Sequence, residues 1–182
     1  MQPIGPLMRE HRLIERVVGL LERDLEKIGS RSESQDLIIT AAVDFLRTYA
    51  DRTHHGKEED ILFRELGKKQ LSPDHKRIMS ELVEEHTIAR KTVGNLARAH
   101  AEYLQGNRAS LAVVETSLKE LVALYPRHIE KEDTQFFFPS MEYFTRHEMD
   151  LMLQEFEDFD SRMIHERYQR TVEELETQTR GS

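Results

Sequence analysis

His55-Gly56-Lys57-Glu58-Glu59-Asp60 and His128-Ile129-Glu130-Lys131-Glu132-Asp133 share one pattern, HxxxED. Each follows a Glu–His pair. Glu10-His11 opens the first half and Glu85-His86 the second, with His55 standing 44 residues after His11 and His128 standing 42 after His86. The order is therefore EH, HxxxED, EH, HxxxED. On a helix, positions i and i+4 share one face, so His55 points with Glu59 and His128 with Glu132. An imidazole and a carboxylate aimed together from neighbouring helices form the donor arrangement of carboxylate-rich metal sites in helical bundles.

The residues around these strings repeat with helical spacing. The first segment presents Leu7, His11, Ile14, Val18, Leu21, Leu25 and Ile28. The second presents Ile38, Ala41, Phe45, Thr48, Arg52, His55, Glu59, Leu62 and Leu66. The third presents Met79, Leu82, His86, Ala89, Val93, Leu96, His100 and Tyr103, and the fourth Leu111, Val114, Leu118, Leu121, Tyr125, His128, Glu132 and Gln135. Alternating steps of three and four mark the seam of a bundle. The breaks are short: Gly29-Ser30-Arg31-Ser32, then Leu71-Ser72-Pro73-Asp74 with Ser72 as N-cap before Pro73, then Gly106-Asn107. Short breaks imply antiparallel neighbours. The expected fold is all-α: an antiparallel up-down-up-down four-helix bundle over 5–140, with 141–180 as a helical extension of the same domain. Met149, Met152, Phe156, Phe159 and Met163 give that extension an apolar stripe. It caps the bundle or forms a homodimer contact.

Counting along antiparallel helices brings His11, His55, Glu59, His86, His128 and Glu132 to one height on the core-facing stripes. Buried polar groups without partners are costly, and a layer of four imidazoles and two carboxylates suits iron, manganese or zinc. Pro126 removes a backbone donor just before His128 and predicts a kink there. Gly56 weakens the helix beside His55. His54 is the rival of His55, and the second HxxxED string favours His55 and Glu59. Tyr125 lies one turn before His128 as a core filler or site lining, and Arg52 and Arg90 are placed to pair with carboxylates. His75 reads as exposed, His100 is on the stripe but too far from His86 to share its site, and His147 and His165 carry no evident chemistry.

Composition excludes other classes. The net charge of −8 argues against nucleic acid and anionic membranes as partners. The absence of cysteine removes disulfides, zinc–thiolate sites, iron–sulfur clusters and any thiol nucleophile, and fits a cytoplasmic protein. No signal peptide is evident at the start, and no apolar run is long enough to span a membrane.

The strings Glu10–Glu15 (EHRLIE), His54–Phe63 (HHGKEEDILF), Glu84–Arg90 (EEHTIAR) and His128–Pro139 (HIEKED…FFFP) resemble the hemerythrin-like, or HHE cation-binding, family. The resemblance implies a non-haem, carboxylate-bridged centre of two iron ions, manganese or zinc being the alternatives. His11, His55, His86 and His128 would be terminal ligands, with Glu59 and Glu132 as bridges. It implies a partner such as dioxygen or another small diatomic or peroxide ligand. One departure stands out: oxygen-carrying hemerythrins hold a further histidine where this chain has Leu82. Glu85 is a possible replacement ligand. The implied functions are binding or sensing of dioxygen, or a di-iron redox enzyme acting on peroxide or nitric oxide, or iron donation in iron–sulfur repair. The repair branch brings cysteines that this chain lacks.

Overall fold

A computed structural model describes residues 2–26, 28 and 33–180, with side chains from 35 to 163 in the later part, and the described residues form five long helices. The break expected at 29–32, the side chain of His165 and Gly181-Ser182 lie outside the described residues. Helix α1 spans Ile4–Leu25. Helix α2 occupies 33–66, starting as α-helix (Glu33–Phe45) and passing through two π-helical stretches, Leu46–His55 and Glu58–Phe63. Helix α3 spans Pro73–Leu104. Helix α4 occupies 111–140, with a π-helical turn at Glu132–Phe136. Helix α5 spans Arg146–Arg180. Among the described residues there is no strand, and no helix is long and apolar enough to cross a membrane.

Local chemistry explains the ends. Ser72 caps α3 by accepting the His75 backbone N–H at 3.2 Å, with Pro73 in the first turn where its missing donor costs nothing. Gly106 ends α3 with φ of 99°, a conformation open to glycine. Pro126 stands inside an uninterrupted α-helical run, Leu111–Lys131. The irregularity of α4 comes later, at Glu132.

Helix α1 packs on α2 and α4, and α3 packs on α2 and α4, closing a ring of four, while α5 lies against the π-helical part of α2. Contacts at two heights set the directions. Glu85 meets His128 while Glu102 meets Ser110, so α3 and α4 run oppositely. Glu59 meets His86 while Asp36 meets His100, so α2 and α3 do as well. The apolar interior falls into two clusters. One, around Ile14, Leu46, Leu96 and Leu121, fills the bundle towards the α3–α4 turn. The other, around Leu7, Leu62, Leu82, Phe136 and Phe137, includes Met152, Phe156 and Phe159 of α5. The polar layer lies between them.

Stripe predictions succeed in α1 and α3. From Leu7 to Leu21 and from Leu82 to Tyr103, every predicted inner residue is buried. Helix α2 departs from the prediction. Ile38, expected inside, is exposed, and Ile39 is buried. Leu46, Ala50, His54, Glu58, Leu62 and Leu66 stand four apart and each is at most 1 % exposed. On a helix of about 3.6 residues per turn, each such step would drift about 40° around the axis, some 200° over five steps. The wider π-helical turns, with i→i+5 bonding, absorb this drift and hold the six on one face.

Candidate metal centre

Two groups of buried side chains could each hold a cation. One is His11, His54, Glu58 and Glu132; the other is His55, Glu58, His86 and His128. Within each group the available donor atoms lie within 4.8 Å of one another. Glu58 belongs to both. Glu132 also approaches both, its Oε2 standing 3.1 Å from His11 Nε2 and 3.2 Å from His128 Nε2. Helices α1, α2, α3 and α4 all contribute, and α2 contributes most because its π-helical turns bring His54, His55 and Glu58 inward together.

The outer nitrogens explain which atoms face inward. His11 Nδ1 lies 2.8 Å from Asp133, His54 Nδ1 2.9 Å from Glu10, His86 Nδ1 2.7 Å from Glu59 and His128 Nδ1 2.8 Å from Glu85. An ionised carboxylate only accepts, so each Nδ1 carries a hydrogen and donates, and in a neutral ring this leaves Nε2 with a bare lone pair. These lone pairs point at one another and at carboxylates. His86 Nε2 and His128 Nε2 stand 3.2 Å apart. Two facing lone pairs at that distance repel unless a cation lies between them. His55 Nδ1 faces Asp51 at 3.5 Å. His11 Nε2, His54 Nε2 and all four oxygens of Glu58 and Glu132 are buried without a well-formed hydrogen bond. Orphaned atoms of this number in one layer are rare in folded proteins, and they are donors that a metal ion would satisfy. The residues therefore fit a pair of metal ions sharing two carboxylates.

Electrostatics agrees. Burial, reinforced by neighbouring imidazoles, holds His54 and His55 well below the ordinary imidazole range, and burial also lowers His86. These rings are neutral and ready to ligate. Burial and the facing Glu132 push Glu58 well above the usual carboxylate range. Glu132 is held down at about 2: burial opposes this but is outweighed by His128 and His11. His11 is raised to about 9, because the Asp133 and Glu132 carboxylates beside its two nitrogens outweigh burial, and a cation binding at Nε2 would displace the proton held there.

Aromatic groups close the layer. Phe137 stacks on His11 with ring centroids 5.5 Å apart, and Phe63 stacks on His86 at 6.1 Å. Tyr125, 2 % exposed, lies parallel to His55 at 6.5 Å, its hydroxyl pushed upward by burial and Asp51.

The expected residues divide as follows. His11, His55, His86, His128 and Glu132 fall in the two groups. Glu59 does not: it is half-buried, accepts from the Arg90 guanidinium at 2.6 Å and orients His86 from outside. Glu58, one residue earlier, takes the inner place, and His54 joins it. The expectation for Glu59 assumed an unbroken repeat through α2, which the π-helical turns shift. Glu85 orients His128 and is not among the inward donors. His75 is half-buried and bonded to Tyr143, His100 lies 3.4 Å from Asp36 at another height, and His147 is exposed.

A signal for His54 and Glu58 exists in the sequence. His54 follows His11 by 43 residues and His128 follows His86 by 42, a closer match than His55 gives. In that register a lysine stands three residues after each histidine, Lys57 and Lys131. Glu10 and Glu85 then play one role, each serving the histidine of the following string.

A family model, the hemerythrin HHE cation binding domain, matches residues 2–138. Among curated proteins and among solved structures, no match to the chain was found.

Proposed function

Since the chain belongs to the hemerythrin HHE cation-binding family, we propose that its buried layer holds two iron ions and that the protein binds or senses dioxygen there. The observation that carries this is the pair of four-residue groups sharing Glu58, with inward atoms that lack any other partner. In this reading His11 and His54 would hold one ion and His55, His86 and His128 the other, with Glu58 and Glu132 available to both. Five imidazoles and two carboxylates suit iron, and manganese or zinc would preserve the site with other reactivity. Iron so bound would supply redox chemistry and coordination positions for a small ligand.

The chain's own residues then do three things. Asp133, Glu10, Glu59 and Glu85 fix the tautomer and direction of His11, His54, His86 and His128, which raises the donor strength of the inward nitrogen. Phe63, Phe136, Phe137 and Leu82 wall off one side of the layer and exclude bulk water. His55 supplies a fifth imidazole from α2, stacked 3.8 Å from His86, in a chain that has Leu82 where the oxygen carriers have a histidine on α3.

Metal analysis of the protein after anaerobic iron loading tests the site: about two ions per chain are expected, and fewer than about half an ion would overturn the reading. Absorbance of the reduced, iron-loaded protein under air and then under nitrogen tests the role. A band that forms with oxygen and vanishes on its removal supports binding or sensing. Catalytic consumption of peroxide or nitric oxide without a reversible oxygen spectrum would replace that role with a redox enzyme.

A further inference from the structure

Lys57 is completely buried, 0 % exposed, inside a layer that already has its ligands. Its ammonium bonds Glu10 Oε1, while Glu10 Oε2 accepts from His54 Nδ1 at 2.9 Å. The second half repeats this unit. Lys131 donates to Glu85 Oε1 at 2.6 Å, and Glu85 Oε2 accepts from His128 Nδ1 at 2.8 Å. In both, a lysine three residues after the histidine clamps the carboxylate that orients that histidine.

The two units differ in the lysine's second anchor. Lys131 reaches Glu81 at 3.3 Å, one turn before Glu85 on the same helix. The corresponding position on α1, four residues before Glu10, is Pro6, which has no carboxylate. Lys57 finds its second anchor elsewhere. Asp160 of α5 places its oxygens 2.8 and 3.0 Å from the ammonium. Phe156 lies beneath, its ring 5.8 Å from the same nitrogen, and Phe159 packs on Gly56 next door. A buried ammonium needs more than one counter-charge, and Glu10 already divides its two oxygens between lysine and histidine.

We propose that α5, which lies beyond the segment matched by the family model, is a working part of the metal centre: Asp160 is a positioning residue that fixes Lys57, hence Glu10, hence the ring of His54. The ion held by His11 and His54 depends on this helix; the ion held by His55, His86 and His128 does not. The inference rests on the two-ion reading above.

The test is titration of full-length, metal-stripped protein with cobalt(II), followed by visible absorption and by metal content after dialysis. Wild-type protein binds two ions. Asp160→Asn keeps one at wild-type affinity and holds the other about 10- to 100-fold more weakly, the usual cost of losing a group behind a metal ligand. Lys57→Met gives the same one-ion protein, and adding Asp160→Asn to it costs nothing further, because both act through one chain of contacts. Asp160→Glu restores the second ion. Glu81→Gln, the matched change in the other half, leaves Lys131 on Glu85 and both ions bound. Two ions at wild-type affinity in both Asp160→Asn and Lys57→Met would overturn the inference while leaving the two-ion reading intact, and so would equal weakening of both ions. If Asp160→Asn fails to fold, the apolar pair Lys57→Met/Asp160→Leu replaces it, with the same one-ion expectation and the same overturning result. Wild-type protein that binds no cobalt overturns the two-ion reading itself.

Discussion

The first half of the bundle, α1 with α2, and the second, α3 with α4, place the same residues in the same roles, yet the first is far more irregular: two π-helical stretches in α2 against one short turn in α4. Helix α3 with its neighbour α4 keeps α-helical spacing up to Glu132, and its clamp lysine is half-buried, 19 % exposed. Helix α2 is π-helical over most of the site, carries a second histidine beside the matched one, and buries its lysine under a fifth helix. The position of His55 is taken in the second half by Ile129. The extra buried donors are thus concentrated in α2, and irregular backbone is what admits them: adjacent residues on an α-helix diverge by about 100°, so His54 and His55 face one layer only where the turns are widened.

The sharpest break of this comparison is at adjacent carboxylates. Glu58 faces both groups, so Glu58→Ala should remove both ions; Glu59→Ala should leave two bound, with the His86 ion weakened about 10- to 100-fold. Metal content after dialysis decides. Loss of both ions from Glu59→Ala, with Glu58→Ala retaining them, would return α2 to the unbroken register. At the next level, His54→Ala and His55→Ala should each yield a protein with about one ion, differing in which ion remains. Cobalt spectra of the two should therefore differ, since one retains the group around His86 and His128 and the other the group around His11. Identical spectra would mean that the two histidines serve a single ion.

How far the sequence alone reaches follows the same division. The stripes of α1 and α3 are legible because a constant period near 3.6 relates burial to spacing. The stripe of α2 is not, because no composition cue marks where turns widen, and a constant period puts Ile38 inside although it is exposed. Gln135 fails likewise within the π-helical turn of α4, where Phe136 takes the buried place. Of the layer, His11, His55, His86, His128 and Glu132 follow from motif and height. Glu58 and His54 were within reach through the 43- and 42-residue spacings and the paired lysines. Asp160 was not: nothing near it in sequence repeats, and its partner is fixed only when α5 lies against α2.

Metal removal should reveal how much the layer leans on its ions. Without cations, the facing lone pairs and the orphaned carboxylate oxygens stay buried and unpaired. Binding at about 1,000 times Kd contributes about 4 kcal/mol, and for a chain of this size each kcal/mol moves Tm by about 2–4 °C. Chelated protein should melt roughly 10 °C lower in a thermal scan. An unchanged Tm would mean that protons satisfy the layer as well as metal does.

The smallest effect sharpens the role of the fifth helix. Gly56 and Glu130 occupy matched positions, each two residues after its histidine, His54 and His128. At Glu130, which is exposed, Glu130→Ala should change stability by less than about 0.5 kcal/mol. At Gly56 a Cβ would stand 2.7 Å from Phe159 Cζ, closer than two carbons can approach. Alanine favours helix by about 1 kcal/mol over glycine, so on propensity alone Gly56→Ala would stabilise. The buried Phe159 ring must instead move off α2, an overpacking cost of about 1–3 kcal/mol, and the expected net change is a loss of up to about 2 kcal/mol. Urea unfolding of the metal-free protein measures it free of any metal term. A gain in stability would show that α5 yields easily at Phe159. The double variant Gly56→Ala/Phe159→Leu separates the two terms: with the ring gone the clash is removed, and the alanine should then recover its helix preference relative to Phe159→Leu alone.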